Sequence, residues 1–241
     1  MAESGRILAE IIREMVVAAK PGVTTQELDN LARDLCSKHD VKPSFLGYGV
    51  QGKKYPAVSC LSVNDAIVHA IPTNRPLQEG DVLGIDMGVI YHGWNSDSAV
   101  TVLVGNVNRK SQSEKLIAVT KQAMMLGIAQ AVPGNHVGDI GHAVQAHVES
   151  HGFGVVRDLV GHGIGRELHE EPRVPNFGKA GEGPELREGM VICIEPMVTI
   201  GDWKLVLDDN GWTYRTKDGS LAAHFEHTLA ITKDGPVMLT A

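Results

Sequence analysis

The chain repeats itself, and the repeat constrains the fold more than any other feature. Pro21-Gly22-Val-Thr-Thr-Gln-Glu-Leu28 matches Pro133-Gly134-Asn-His-Val-Gly-Asp-Ile140, 112 residues later. Leu77-Gln-Glu-Gly-Asp-Val-Leu-Gly-Ile-Asp86 matches Leu186-Arg-Glu-Gly-Met-Val-Ile-Cys-Ile-Glu195, 109 residues later, and His69-Ala-Ile-Pro72 matches His162-Gly-Ile-Gly165. The matches fall in the same order in two halves of about 1–110 and 111–241, and they pair a carboxylate with a carboxylate and a histidine with a histidine. A duplication of this kind predicts two similar halves whose matched groups meet at a shared centre.

Hydrophobic periodicity assigns each half helices first and strands second. Ile7, Leu8, Ile11, Ile12, Met15 and Val16 form one stripe of an amphipathic helix that Lys20-Pro21-Gly22 ends. Thr24 and Glu27 make a capping box for a second helix through Leu28, Leu31 and Leu35. Val58–Val63, Val82–Val89 and Ala99–Val104 are short, β-branched and bounded by Gly, Pro or Asn, and read as strands. Ser111 and Glu114 cap a third helix to about Ala131, Pro133-Gly134 breaks it, and a fourth runs from His136 to about Ser150. Strand-like runs return at Met190–Ile200 and Ala222–Thr232. Helices then strands, twice over, predict an α+β fold rather than alternating βαβ units.

Composition excludes several functions. Twenty-two Lys and Arg against 29 Asp and Glu leave a net charge of −7 with no basic stripe, which argues against nucleic acid as a ligand. Three cysteines (Cys36, Cys60, Cys193) lack CxxC spacing and suit a reduced compartment. No signal peptide and no apolar run of about 20 residues is present, so the expectation is a cytoplasmic protein without membrane contact. Glycine is over-represented at 27 of 241 residues, so the backbone must turn tightly or approach something closely unusually often.

The chemistry lies in carboxylates embedded in apolar strands. Asp86 and Asp97 flank His92-Gly93, which reads as a two-residue hairpin turn. Such a turn makes them diagonal neighbours on one face, within roughly 7–8 Å. Glu195 and Glu226 repeat the pattern, with Glu195 in the place of Asp86 and Glu226 in that of Asp97. Each alone reads equally as a paired surface residue. Four on facing strands would repel one another, and divalent cations turn that repulsion into binding. His162 sits in Gly161-His-Gly-Ile-Gly165, too glycine-rich for a helix, and His69 and His169 add two further imidazoles. This donor set has no thiolate and suits Mn, Fe(II), Co or Zn, among which the sequence does not choose. His147 and His151 share metal-ligand spacing but no HExxH pattern, and read as a solvated helix face.

Ser62-Val-Asn-Asp-Ala-Ile-Val-His69-Ala-Ile-Pro72, Gly84-Ile-Asp86, Asp97-Ser98, Gly161-His162-Gly163-Ile164-Gly165, His169-Glu170-Glu171-Pro172, Ile194-Glu195-Pro196-Met197 and Phe225-Glu226-His227-Thr228 resemble the motif set of the methionine aminopeptidases. Gly211-Trp212-Thr213 and Thr216-Lys217-Asp218 also fit, and the short His169–Glu195 interval is similar to the bacterial-like type I form. The resemblance implies a single catalytic pita-bread domain over 1–241: two pseudo-symmetric halves, an antiparallel sheet, and helices packed on its outer face. It makes Asp97 and Glu226 bridging ligands of two divalent metals, with Asp86 on one metal and His162 and Glu195 on the other. Glu195 shuttles the proton, and His69 and His169 contact the scissile peptide. Tyr55, Cys60, Leu168 and Trp212 line the methionine pocket, and Asn64 stands beside a monovalent cation.

The implied reaction is attack of a metal-bridging water or hydroxide on the first peptide bond of nascent chains that begin with Met and carry a small second residue. A ribosome partner and a monomeric state follow from the same resemblance. Two rivals on this fold are an X-Pro peptidase, for whose extra N-terminal domain the chain has no room, and a dead binding relative, which would have lost ligands. Three departures stand out: no short leading segment before Met1, extra loop at Gly49–Lys54, and Ala70 where Gly is usual, whose methyl is expected to narrow the cleft.

Overall fold

A computed structural model describes residues 1–50, 52–105 and 111–241. The first half contributes α1 (Ala2–Ala18), α2 (Thr25–Lys38), β1 (Lys42–Pro43), β2 (Gly49–Val50), β3 (Lys53–Lys54), β4 (Cys60–Val63), β5 (Ala66–Val68), β6 (Val82–Tyr91) and β7 (Trp94–Leu103). The second contributes α3 (Gln112–Ala129), α4 (Val137–Ser150), β8 (Gly154–Val155), β9 (Gly161–Gly163), β10 (Glu170–Val174) and β11 (Val191–Ile194). It continues with β12 (Met197–Thr199), β13 (Leu205–Leu207), β14 (Tyr214–Thr216), β15 (Ala222–His224), β16 (Glu226–Thr232) and β17 (Gly235–Met238). The Thr24–Glu27 capping box forms, and the Ser111 hydroxyl accepts from the Glu114 N–H.

The large sheet runs β1-β6-β7-β16-β11-β9-β10, with β4 and β17 paired alongside, and all of its pairings are antiparallel. The repeat is visible in its hydrogen bonds. Gly22 N–H donates to Leu77 O at 2.8 Å, and Gly134 N–H donates to Leu186 O at 3.0 Å. Thr24 bridges Pro76 as His136 bridges Glu185.

Period two decides which side of the sheet does what. On β6, Leu83, Ile85, Met87 and Val89 pack under α1 and α2 with Leu8, Ile11 and Met15. The alternate residues, Asp86 among them, face the other way. On β11 and β16, Ile192, Ile194, Leu229 and Ile231 pack under α3 and α4 with Met124, Ile128 and Ile140. Burying each of these large side chains contributes about 1.5–3 kcal/mol. The helices therefore cover the outer face, and the inner face is left for polar side chains.

Two runs expected as single strands are bent. Met190–Ile200 divides into β11 and β12 at Glu195-Pro196, and Ala222–Thr232 divides into β15 and β16 at Phe225. Proline lacks the N–H a ladder needs, and here the two strands leave the large sheet together. The register is unchanged across the bend: Ile194 pairs with His227 before it and Met197 with His224 after it. Glu195 and Glu226 thus come opposite each other at the fold of the pair.

Candidate metal centre

The β6–β7 hairpin places the first two carboxylates. His92 (φ 48°) and Gly93 (φ 76°) close it in the left-handed region that a two-residue turn requires. Asp86 then stands opposite Ala99, and Asp97 opposite Gly88. Because Ala99 is also opposite Glu226 on β16, Asp86, Ala99 and Glu226 form one row across three strands, with Asp97 one pleat away on the same face. Oxygens of Asp86, Asp97 and Glu226 lie within 4.8 Å of one another. Thr228 fixes the seam between halves: its hydroxyl donates to Asp97 O at 2.7 Å and accepts from the Asp97 N–H at 2.9 Å.

His162 enters from β9. A Cβ on Gly161 would lie 2.3 Å from Cys193 O, and one on Gly163 would lie 2.2 Å from Glu171 O. The glycines are needed so that β9 can wedge between its neighbouring strands. The His162 Nδ1–H donates to Gly163 O at 2.8 Å, which leaves Nε2 as the free lone pair. That Nε2 is 3.5 Å from Glu195 Oε1 and 4.0 Å from Glu226 Oε1. Asn176 donates to the Glu195 carbonyl and holds the bend from behind.

Electrostatics make this cluster a candidate for cations. Burial drives the Asp86, Glu195 and Glu226 carboxyl groups well above their ordinary range, and the neighbouring carboxylates add to it. Burial lifts Asp97 to about 7. Burial also holds His162 and His69 down at about 4, with His169 as the second cause for each. Among the described residues, Asp86 Oδ1 and Glu226 Oε1 have no hydrogen-bond partner and are buried. Buried orphan carboxylate oxygens beside a free imidazole nitrogen are the donor set that divalent cations satisfy.

A cavity of about 410 Å³ opens beside these groups and is lined by Asp86, Asp97, His162, Glu195 and Glu226. The four expected pocket residues, Tyr55, Cys60, Leu168 and Trp212, also line it. Tyr55 meets Trp212 edge-on at 5.2 Å, and its hydroxyl is committed to Ser59 O and Ala70 O. His69 lines the cavity with φ 57°, whereas His162 lies within a strand, so the matched histidines share a motif but not a conformation. The His169 ring is 4.4 Å from that of His162, and its Nδ1 is 2.6 Å from the Tyr48 hydroxyl.

Several residues escape the sequence reasoning. Phe45, Tyr48, Lys53 and His224 line the cavity too. His224 is buried, burial holds its imidazole at about 3, and its unpartnered Nε2 is 3.7 Å from Glu195 Oε2. Cys193 lies within 4.8 Å of donor atoms of His162 and Glu226, a closeness the spacing of the cysteines did not suggest. The available signal was strand period: Cys193 precedes Glu195 by two residues, and His224 precedes Glu226 by two.

The departures resolve differently. Ala70 is among the residues lining a separate cavity of about 330 Å³. The Gly49–Lys54 segment carries the β2–β3 pair, which brings Lys53 to the rim beside Gly211; position 51 lies outside the described residues. The Asn64 side chain is occupied at both ends, donating to Asp81 and accepting from the Val82 N–H. His147 on α4 and His151 just beyond its end hold their rings 4.5 Å apart, tilted by 51°.

A duplicated α+β sheet with an acid-lined, histidine-flanked cavity on its inner face defines a metallohydrolase. The model of metallopeptidase family M24 matches residues 1–233. The chain is 48% identical to a methionine aminopeptidase of Clostridium acetobutylicum, over 100% of this chain and 94% of the relative. It superimposes on the crystal structure of methionine aminopeptidase from Rickettsia prowazekii with TM-score 0.96 and 41% identity, covering 100% of this chain and 95% of the other. The chain belongs to metallopeptidase family M24 and, within it, to the methionine aminopeptidases, hydrolases of the aminopeptidase class. A prolidase from Pyrococcus horikoshii (TM-score 0.78, 23% identity, 100% of this chain and 60% of that one) shares the pita-bread fold alone.

Proposed function

We propose that this chain removes the initiator methionine from proteins whose second residue is small. The observation that carries the reading is the pair of buried orphan oxygens, Asp86 Oδ1 and Glu226 Oε1, at the floor of a cavity with an aromatic and thiol-lined wing. The family uses divalent metal. As the resemblance to the family implies, Asp86, Asp97, His162, Glu195 and Glu226 would hold the metal. When bound, such cations neutralise the carboxylates, polarise a peptide carbonyl and lower the pKa of water. We take 1–241 as one catalytic unit built from its two halves.

The remaining steps belong to the chain's own side chains. The substrate α-amine meets the Asp86 end. The methionine side chain fills the space between Tyr55, Cys60, Leu168 and Trp212, where a polarisable thioether suits aromatic edges and sulfur. Glu195 accepts a proton from the attacking water and returns it to the leaving amine. His169, whose Nδ1 is engaged by Tyr48, offers Nε2 to the scissile peptide, and His69 hydrogen-bonds it from the other wall. Among the described residues no helix is long and apolar enough to cross a membrane.

Hydrolysis of Met-Ala-Ser by chelated protein, after re-addition of single metals, tests the reading, with an X-Pro peptide as the competing substrate. Release of Met should require a divalent ion, and Asp97→Asn should lower it at least about 10³-fold, the scale expected for losing a group at the reacting centre. Full activity in Asp97→Asn, or preference for the X-Pro peptide, rejects it.

A further inference from the structure

We propose that Cys193 is a sulfur ligand of the metal centre, so that the chain takes thiophilic divalent cations such as Zn(II), Co(II) or Cd(II) with a thiolate in the coordination sphere. The proposal rests on the metallopeptidase reading above. Cys193 stands opposite Thr228 in the β11–β16 ladder. It is two residues from Glu195, as Thr228 is from Glu226, so strand alternation directs both pairs to the carboxylate face. Cys193 Sγ, a nitrogen of His162 and a carboxylate oxygen of Glu226 all lie within 4.8 Å of one another. In a tetrahedral site with bonds of about 2.3 Å to sulfur and about 2.0 Å to nitrogen, donor atoms stand roughly 3.5 Å apart. A shift of about one ångström therefore brings these three into bonding range.

Each donor is available. Among the described residues Glu226 Oε1 is buried with no hydrogen-bond partner, and His162 keeps Nε2 free because Nδ1–H is given to Gly163 O. The sulfur meets Thr228 Oγ1 at 3.5 Å, whose hydroxyl already spends its proton on Asp97 O, and its S–H faces the Glu226 carboxylate. The sulfur lone pairs are thus left to a cation. On binding, the S–H bond breaks, the sulfur–metal bond forms, and the proton leaves to water. The cation's charge offsets the new thiolate beside Glu226. A soft donor within a carboxylate set shifts selectivity away from Mn(II) toward the thiophilic ions.

Co(II) titrated into the full chain tests this by near-ultraviolet absorption. The chain has three cysteines, so the Cys36→Ser/Cys60→Ser double variant leaves Cys193 as its only thiol. The wild type should show a sulfur-to-cobalt charge-transfer band, the double variant should keep it, and Cys193→Ser should lose it. By titration calorimetry, the Cd(II)-over-Mn(II) affinity ratio should fall at least about tenfold in Cys193→Ser. No band in the wild type, or a band lost in the double variant, overturns the proposal even if Cys193→Ser does not fold. Mn(II) binding and Met-Ala-Ser hydrolysis report on the metallopeptidase reading separately. A missing sulfur band with both intact removes only the role of Cys193.

Discussion

The two carboxylate pairs at the centre are held by different means. Asp86 and Asp97 sit on one uninterrupted hairpin, closed by two residues and offset diagonally. Glu195 and Glu226 sit on a bent pair whose strands are joined through residues 196–225 and whose register brings them directly opposite. The first pair is fixed by local turn geometry. The second is fixed by contacts distant in sequence: Gly161 wedged against Cys193, and Asn176 behind Glu195. The excursion that loosens the second pair also carries Met197, Leu207, Trp212, Tyr214 and His224 to the cavity wall. Duplication thus supplies a framework, and one unequal connection supplies the pocket.

Removing metal strains this comparison most. A carboxyl group whose folded pKa is raised binds more protons in the fold than unfolded, so it loses stability as pH rises toward the folded value. The buried histidines act in the opposite sense, but only up to their ordinary value of about 6.5. Above that the carboxyl groups remain: Asp97 near 7, and Asp86, Glu195 and Glu226 well above their usual range. The stability of chelated protein should therefore fall as pH rises above about 6.5, where the histidines no longer compensate, and its melting temperature should fall with it. Saturating Mn(II) should flatten the slope. Glu195→Gln should relieve it more than Asp86→Asn, because Glu195 directly faces Glu226; equal relief would erase the distinction between the pairs.

A smaller effect separates the glycines of the two halves. Gly161→Ala drives a methyl into Cys193 O and should cost roughly 1–3 kcal/mol in urea denaturation, as overpacking does. Gly84→Ala meets its nearest atoms at 3.6 Å, an ordinary contact, and should cost under about 1 kcal/mol. Similar losses at both would mean that the second half is no more dependent on close strand approach than the first. The smallest effect is at the turn. His92→Asn suits the left-handed φ better and should raise stability by up to about 0.5 kcal/mol, seen as a small rise in melting temperature.

Sequence alone determined the parts whose physics is local. The α1 stripe, the Thr24 and Ser111 caps, the two-residue turn at His92-Gly93 and the face shared by Asp86 and Asp97 follow from period, capping and turn chemistry, which act over a few residues. The repeat announced that two such frameworks would meet. Tertiary structure alone decided that Met190–Ile200 and Ala222–Thr232 bend together, because switching sheets depends on what lies beneath each strand rather than on the strand's own residues. The same bend and the wedging of β9 brought Cys193 and His224 against the buried carboxylates. Side chains far apart in sequence acquire their chemistry from burial and from one another, and neither exists until the two halves close.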